Sequence, residues 1–482
     1  MSTLSRPSYL IFAVAVQILH FFTNAAAQDI EAKIEIRAEN PSIVSVSGRF
    51  LDSRRNLSFP RSYAGFSGLG ERIGNLSVRN ASDEGVGFQS AVPGEYVSDA
   101  GFTKWNYSVD LSPRKEASSA AHVSWISNDV GLLMLGDLLP IVGQNGQPIS
   151  GKITVNLPVG WHYLGSRIDG VIDTKDAYAE VVPVGKGLRA RTVRSGDTAI
   201  RIGFADKWLF TDEEFEDMCR EIYSSLRQTF AADAHNDVVV NILKFPQQVG
   251  TGQWQAETRG RNVTLISSDM PFRTQSLQRL HEQLRHEMFH LWIPHGVNLS
   301  GNYDWFYEGF ALYASLKMAV SMNRIRFEDL LDTLSRAQAI DAHQTNRLSL
   351  IDASGKRWNG ADTYVYARGM VTAFLCDVLL LHHSKGKRSV NDILREFYEK
   401  HRLPNSRMDG NTAVLSILQS NKELGPVIDN YIKASGRFAW EPALSLAGLE
   451  IKNGLSVMPK LNGRQKDLLD ALGYNNWRKL SK

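Results

Sequence analysis

At Thr211 the chain changes its repeat, and that change limits the folds open to it more than any other feature. Before this point, residues 42–47, 122–127, 152–157 and 198–204 alternate or cluster β-branched and apolar side chains. Gly, Pro, Asn and Asp punctuate them, as in Pro93-Gly94 and Gln144-Asn145-Gly146. Such short runs predict strands in a β-sandwich or saddle over residues 28–206. After it, Thr211 and Glu214 form a capping box that opens a helix to about Ala231, with Phe215, Met218, Cys219, Ile222, Leu226 and Phe230 on one face. Strand patterns at residues 238–245 and 263–267 follow, and residues 277–432 then read mostly as helix. The expectation is an α+β multidomain chain with a β-rich front and a mainly helical unit over residues 207–435. Residues 436–482 form a tail too short for an ordinary independent domain.

The helical half holds the chemistry. His286-Glu287-Met288-Phe289-His290 lies in a run with Leu277, Leu280 and Leu284 at helical spacing and Pro294 beyond its end. Residues four apart on a helix share a face, so both imidazoles can meet one metal ion. Glu287, one residue round, is suited to act on a water beside that ion. The bland alternative is a pair of helix histidines with ordinary hydrogen bonds, and a third ligand at a sensible spacing argues against it. Glu308 follows His290 after 17 intervening residues, inside Asp304-Trp305-Phe306-Tyr307-Glu308-Gly309-Phe310. Asp304 is placed to cap that second helix, with Trp305, Phe306 and Tyr313 to pack it. His295 competes for the third position. A Gly and a His at Ile293 and Gly296 would have supported the alternative zinc-binding pattern, and neither is there.

These residues resemble the gluzincin metallopeptidases, whose peptidase domain is thermolysin-like. Leu291-Trp292, the segment Tyr364-Val365-Tyr366-Ala367-Arg368-Gly369, and upstream Pro60-Arg61-Ser62-Tyr63-Ala64-Gly65 with Gly70-Glu71-Arg72-Ile73 are similar to the glycyl aminopeptidase family, metallopeptidase family 61. The resemblance implies one Zn2+ on His286, His290 and Glu308, Glu287 as general base, and Tyr366 as donor to the oxyanion. It implies peptide or protein substrates with small amino-terminal residues. It also implies a carboxylate for the substrate amine, for which Glu257 in Gly250-Thr251-Gly252-Gln253-Trp254-Gln255-Ala256-Glu257 is the candidate, although the stretch departs from the family's Gly-Gly-Leu-Glu motif. That departure keeps two alternatives open: endopeptidase action, and an inactive peptidase-like binding protein. The family's carboxy-terminal PDZ domain has no room in the tail.

Composition narrows the rest. Lys and Arg number 54 against 51 Asp and Glu, a net charge of +3 that gives no reason to expect a nucleic-acid partner. Two cysteines, Cys219 and Cys376, exclude a disulfide scaffold and a four-cysteine metal site. Two inert buried thiols are the favoured reading, though spacing leaves a single disulfide open. Arg6, an apolar run over residues 9–22 and Ala25-Ala26-Ala27 read as a signal peptide cut near Ala27, and so as a periplasmic or extracellular protein. No later stretch is expected to cross a membrane. Asn56, Asn75, Asn80, Asn106, Asn262 and Asn298 head glycosylation triplets, which matter only in a glycosylating host.

Overall fold

The computed structural model describes residues 29–142, 147–164, 170–405 and 407–481. The signal-like segment and the turn at Gln144-Asn145-Gly146 lie outside the described residues. The front of the chain forms two sheets. The larger has eight strands and is built around two long antiparallel partners, Ile43–Ser58 and Glu95–Asp110. The smaller has four strands, with Val130–Met134 and Val181–Gly185 at its centre. Ile34, Val46, Tyr107 and Val109 of the large sheet share one core with Ile126, Leu133, Val182 and Val184 of the small one, so the two pack face to face.

A third sheet of five strands is mixed: Arg189–Ser195, Thr198–Phe204, Asp237–Leu243, Asn262–Ser267 and, at the edge, Trp254–Arg259. Thr198–Phe204 runs parallel to Asp237–Leu243, so the sequence boundary drawn at residues 206 and 207 falls inside this unit. The textural change marks where helices begin, not where the sheet does. Val193, Ile200, Ile202 and Phe204 accordingly join the core of the helical half.

The helix Asp212–Phe230 forms as its capping box requires, with Thr211 accepting from the Glu214 amide and the Glu214 carboxylate accepting from the Thr211 amide. Three further helices carry the site: Arg273–Phe289 (the motif helix), Asp304–Ser321 (the glutamate helix) and Asp362–Ser384 (the tyrosine helix). The tyrosine helix is long and apolar enough to span a bilayer, but 89% of its apolar window is buried inside the protein. The tail also joins this core: Leu444, Leu449, Leu455, Leu468, Leu469 and Leu472 are buried in it. Cys219 and Cys376 are separate buried thiols.

Candidate metal centre and active site

The motif helix ends at Phe289, and His290 stands at its C-cap with helical backbone angles, so the one-turn spacing to His286 is kept. The His286 and His290 Nε2 atoms lie 3.2 Å apart. Glu308 Oε2 is 3.2 Å from the first and 3.4 Å from the second. All three side chains are buried. A tetrahedral ion with bonds of about 2.0–2.1 Å has donor–donor edges of about 3.3–3.4 Å. The triangle thus has the size of one face of such a site. Glu308 Oε2 and His286 Nδ1 are buried without hydrogen bonds, and His290 Nδ1 lies 3.0 Å from the Ile293 carbonyl, which orients its ring with Nε2 toward the other donors. The donor set fits a zinc ion.

Glu308 is held from behind. Arg357, in a single 3-10 turn ahead of the tyrosine helix, pairs through Nη1 with Glu308 Oε1 at 2.8 Å and donates from it to Asp304 Oδ1 at 3.0 Å. Its Nε reaches Asp362 at 3.0 Å and its Nη2 donates to the Tyr366 hydroxyl at 2.7 Å. Burial alone would raise the Glu308 carboxyl, but Arg357 and His290 hold it well below the usual range, so it stands ionised. Asp304 therefore does not cap its helix. It is the first residue of that helix, the N-cap is Tyr303, and the pull of Arg357 claims the carboxylate instead.

Two glycines bring Glu308 and Tyr366 together. A Cβ on Gly309 would stand 2.4 Å from the Gly369 backbone, and one on Gly369 would stand 2.5 Å from the Trp305 carbonyl oxygen. The glutamate and tyrosine helices therefore cross in backbone contact one residue after Glu308 and one turn after Tyr366. The Tyr366 ring sits 6.2 Å from that of His286, and burial pushes its hydroxyl well above the ordinary phenol range, so it is a proton donor at neutral pH. Arg368 holds the fold rather than the site. Fully buried, it pairs with Asp341 at 2.7 Å and donates to the Tyr431 and Gly436 carbonyls.

Glu287 is buried beside the edge strand. The Thr258 hydroxyl lies 3.0 Å from Glu287 Oε2 and 2.8 Å from its carbonyl oxygen. His295 does not join the ligand triangle. It lines the same cavity, and burial together with the neighbouring His290 pushes it down to about 4, so it is neutral at pH 7.

Glu257, one residue before Thr258, also faces this cavity, but both of its oxygens are engaged. Oε1 accepts from Arg259 Nε at 2.7 Å and from the Tyr63 hydroxyl at 2.5 Å; Oε2 lies 2.6 Å from His122 Nδ1. Burial would raise its carboxyl, yet Arg259 and His122 hold it down at about 2. Tyr63 and His122 come from the β-rich front, more than 130 positions away in sequence, so that half of the chain supplies part of the cavity wall. Tyr63, His122, Arg259 and Arg357 were not legible in sequence as site residues. The Pro60–Gly65 segment was the only signal for any of them. The whole cavity measures about 1550 Å³.

No family model matches the chain, and no curated protein matches its sequence. Solved structures share its fold. An aminopeptidase N family protein from Idiomarina loihiensis aligns over 88% of this chain and 79% of its own, with a TM-score of 0.72 at 13% identity. An M1 zinc metallopeptidase from Deinococcus radiodurans aligns over 85% of this chain and 94% of its own, with a TM-score of 0.54 at 17% identity. A mutant of an M1 zinc metallopeptidase from that organism, bound to a Tyr-Ser-Ala substrate, gives a TM-score of 0.56 at 15% identity, over 85% of this chain and 93% of its own. At such identities the likeness establishes the two-part fold of M1 metallopeptidases. The Idiomarina neighbour is of the aminopeptidase N family and the Deinococcus ones are M1 metallopeptidases, whereas the motifs resemble family 61.

Proposed function

We propose that the chain is an exported zinc metallopeptidase of the gluzincin type, acting as an aminopeptidase on small amino-terminal residues. The observation that carries the peptidase reading is the buried triangle of His286 Nε2, His290 Nε2 and Glu308 Oε2, with edges of 3.2 to 3.4 Å. Support for the narrower family 61 assignment and for small-residue preference comes from the sequence motifs alone. Support for export comes from the pattern over residues 6–27.

Zinc held by these three residues supplies Lewis acidity toward a scissile carbonyl and toward water. The chain's own groups supply the proton chemistry. The Glu287 carboxylate takes a proton from the attacking water and passes it to the leaving amine. Thr258 fixes that carboxylate from the edge strand. The Tyr366 hydroxyl donates to the oxygen on which charge develops, a contribution worth about 10²–10³ in rate. Arg357 holds Tyr366 and Glu308 in one frame.

A second reading, endopeptidase action, is favoured by Glu257. A free substrate amine needs an unspent negative charge, and the Glu257 carboxylate already serves Arg259, His122 and Tyr63. Turnover of alanyl and glycyl substrates, with and without an amino-terminal blocking group, separates the two: exopeptidase cleavage vanishes on blocking. In the same assay Glu287→Gln should bind zinc stoichiometrically and lose most activity, whereas Glu308→Ala should lose zinc. A fully active Glu287→Gln protein refutes the assignment. A wild-type protein that binds zinc and cleaves none of these substrates supports the inactive binding-protein alternative.

A further inference from the structure

The motif helix carries a second charged group that the proposed reaction does not use. Arg285 immediately precedes His286 and is 4% exposed. Its Nε donates to Ser315 Oγ on the glutamate helix at 3.2 Å, and its Nη1 contacts His281 Nδ1. Burial and the nearby cations Arg285 and Arg324 push His281 down to about 3, so its ring is neutral and can accept. Among the described residues no carboxylate pairs with Arg285, and its Nη2 has no hydrogen-bond partner.

The surrounding acids form their ion pairs elsewhere, and Glu282 acts on Arg285 only through space. Glu282 pairs with Arg279 at 3.0 Å, Glu221 with Arg324 at 2.6 Å and Asp329 with Arg326 at 3.0 Å, while Asp332 is exposed at the mouth. A buried guanidinium is costly to keep unless an anion answers it. Its planar fork matches a carboxylate, and the protein occupies only part of that fork. Arg285, His281 and Ser315 line the same cavity as His286, Glu287 and Tyr366.

We propose that Arg285 is the centre of an anion-binding subsite that takes a carboxylate of the substrate, from either an acidic side chain or the carboxy terminus of a short peptide. As a substrate subsite it rests on the peptidase reading; as a carboxylate site it does not. Two arms distinguish the sources of the carboxylate. One compares kcat/KM for peptides differing only in Glu against Gln, the other for short peptides ending in a free acid against an amide. The acid form should be preferred on the order of 10- to 100-fold in one arm, as for a hydrogen bond to a charged group. Arg285→Lys, which keeps the charge and loses the fork, should reduce that preference. Arg285→Gln should abolish it, bringing the acid-to-uncharged ratio of kcat/KM to about one whatever the change in absolute rate.

A parallel titration of the full chain with glutarate, followed by calorimetry, reads the site without turnover. Binding weakened in Arg285→Lys and lost in Arg285→Gln supports the subsite even if no peptide is cleaved, in which case the peptidase reading fails alone. Active enzyme with no acid preference in either arm overturns the proposal. So does a preference or glutarate affinity that survives Arg285→Gln. If Arg285→Gln fails to fold, the wild-type preference together with the Arg285→Lys response decides in the same way.

Discussion

The crossing of the glutamate and tyrosine helices makes Gly309→Ala a sharp perturbation. The added Cβ would lie 2.4 Å from Gly369 Cα and carbonyl carbon and 2.8 Å from the Met370 nitrogen, all backbone atoms that no rotamer change can move aside. Ordinary carbon contacts lie at about 3.5–4.0 Å, so the helices must part by roughly 1.1–1.6 Å. Overpacking of this kind costs about 1–3 kcal/mol, and rigid backbone on both sides puts the cost near the top of that range. The better helix propensity of alanine returns about 1 kcal/mol. The net loss expected is about 2 kcal/mol. The catalytic cost should be larger, because Glu308 and Tyr366 ride on the two helices being separated, and a misplacement of about 1 Å can cost 10²-fold. Denaturant unfolding and kcat measured on the zinc-loaded protein read the two effects. Gly463→Ala, where a Cβ meets nothing within 4 Å, is the control. A Gly309→Ala protein with wild-type stability and wild-type kcat would show that the close crossing does not set the site.

Two other perturbations probe the buried charges. Arg357→Gln removes the cation shared by Glu308, Asp304 and Asp362 and the donor to Tyr366; it should cost about 3–5 kcal/mol in chelated protein and less with zinc bound. Equal losses with and without metal would refute that account. Glu257, held at about 2 against an ordinary 4.5, contributes stability that is complete above pH 4.5 and is lost as pH falls toward 2, on the order of 3 kcal/mol. Glu257→Gln should flatten that part of the acid-denaturation curve, and an unchanged acid limb would contradict it.

What could be read from the sequence was local. A capping box spans four residues, a metal-binding pair spans one helical turn, and both survive translation into structure because a helix is defined by near neighbours. Glu308 was reachable because its helix has its own aromatic signature. Arg357 had no such signal: it sits in a short turn, and its importance comes from four partners that only the tertiary fold collects. Asp304 shows the same lesson in reverse, since its local propensity to cap was overruled by a charge 53 positions away. Tyr63 and His122 were invisible for a further reason. The front half concentrates no His, Asp and Glu in a catalytic pattern, and these two meet Glu257 only through the packing of one sheet system on another. The tail was too short to read as a domain of its own, and its leucines close the helical core.

The five-stranded sheet carries one more consequence. Its first two strands come before the helices begin, and the carboxylate on its far edge is gripped by Tyr63 and His122 from still earlier in the chain. The working part of this protein is therefore not a detachable module. A cut at residue 207 would strip Asp237–Leu243 of its parallel neighbour and leave that strand a raw edge. The same cut would free Glu257 from its two distant partners and change the charge that an arriving peptide meets.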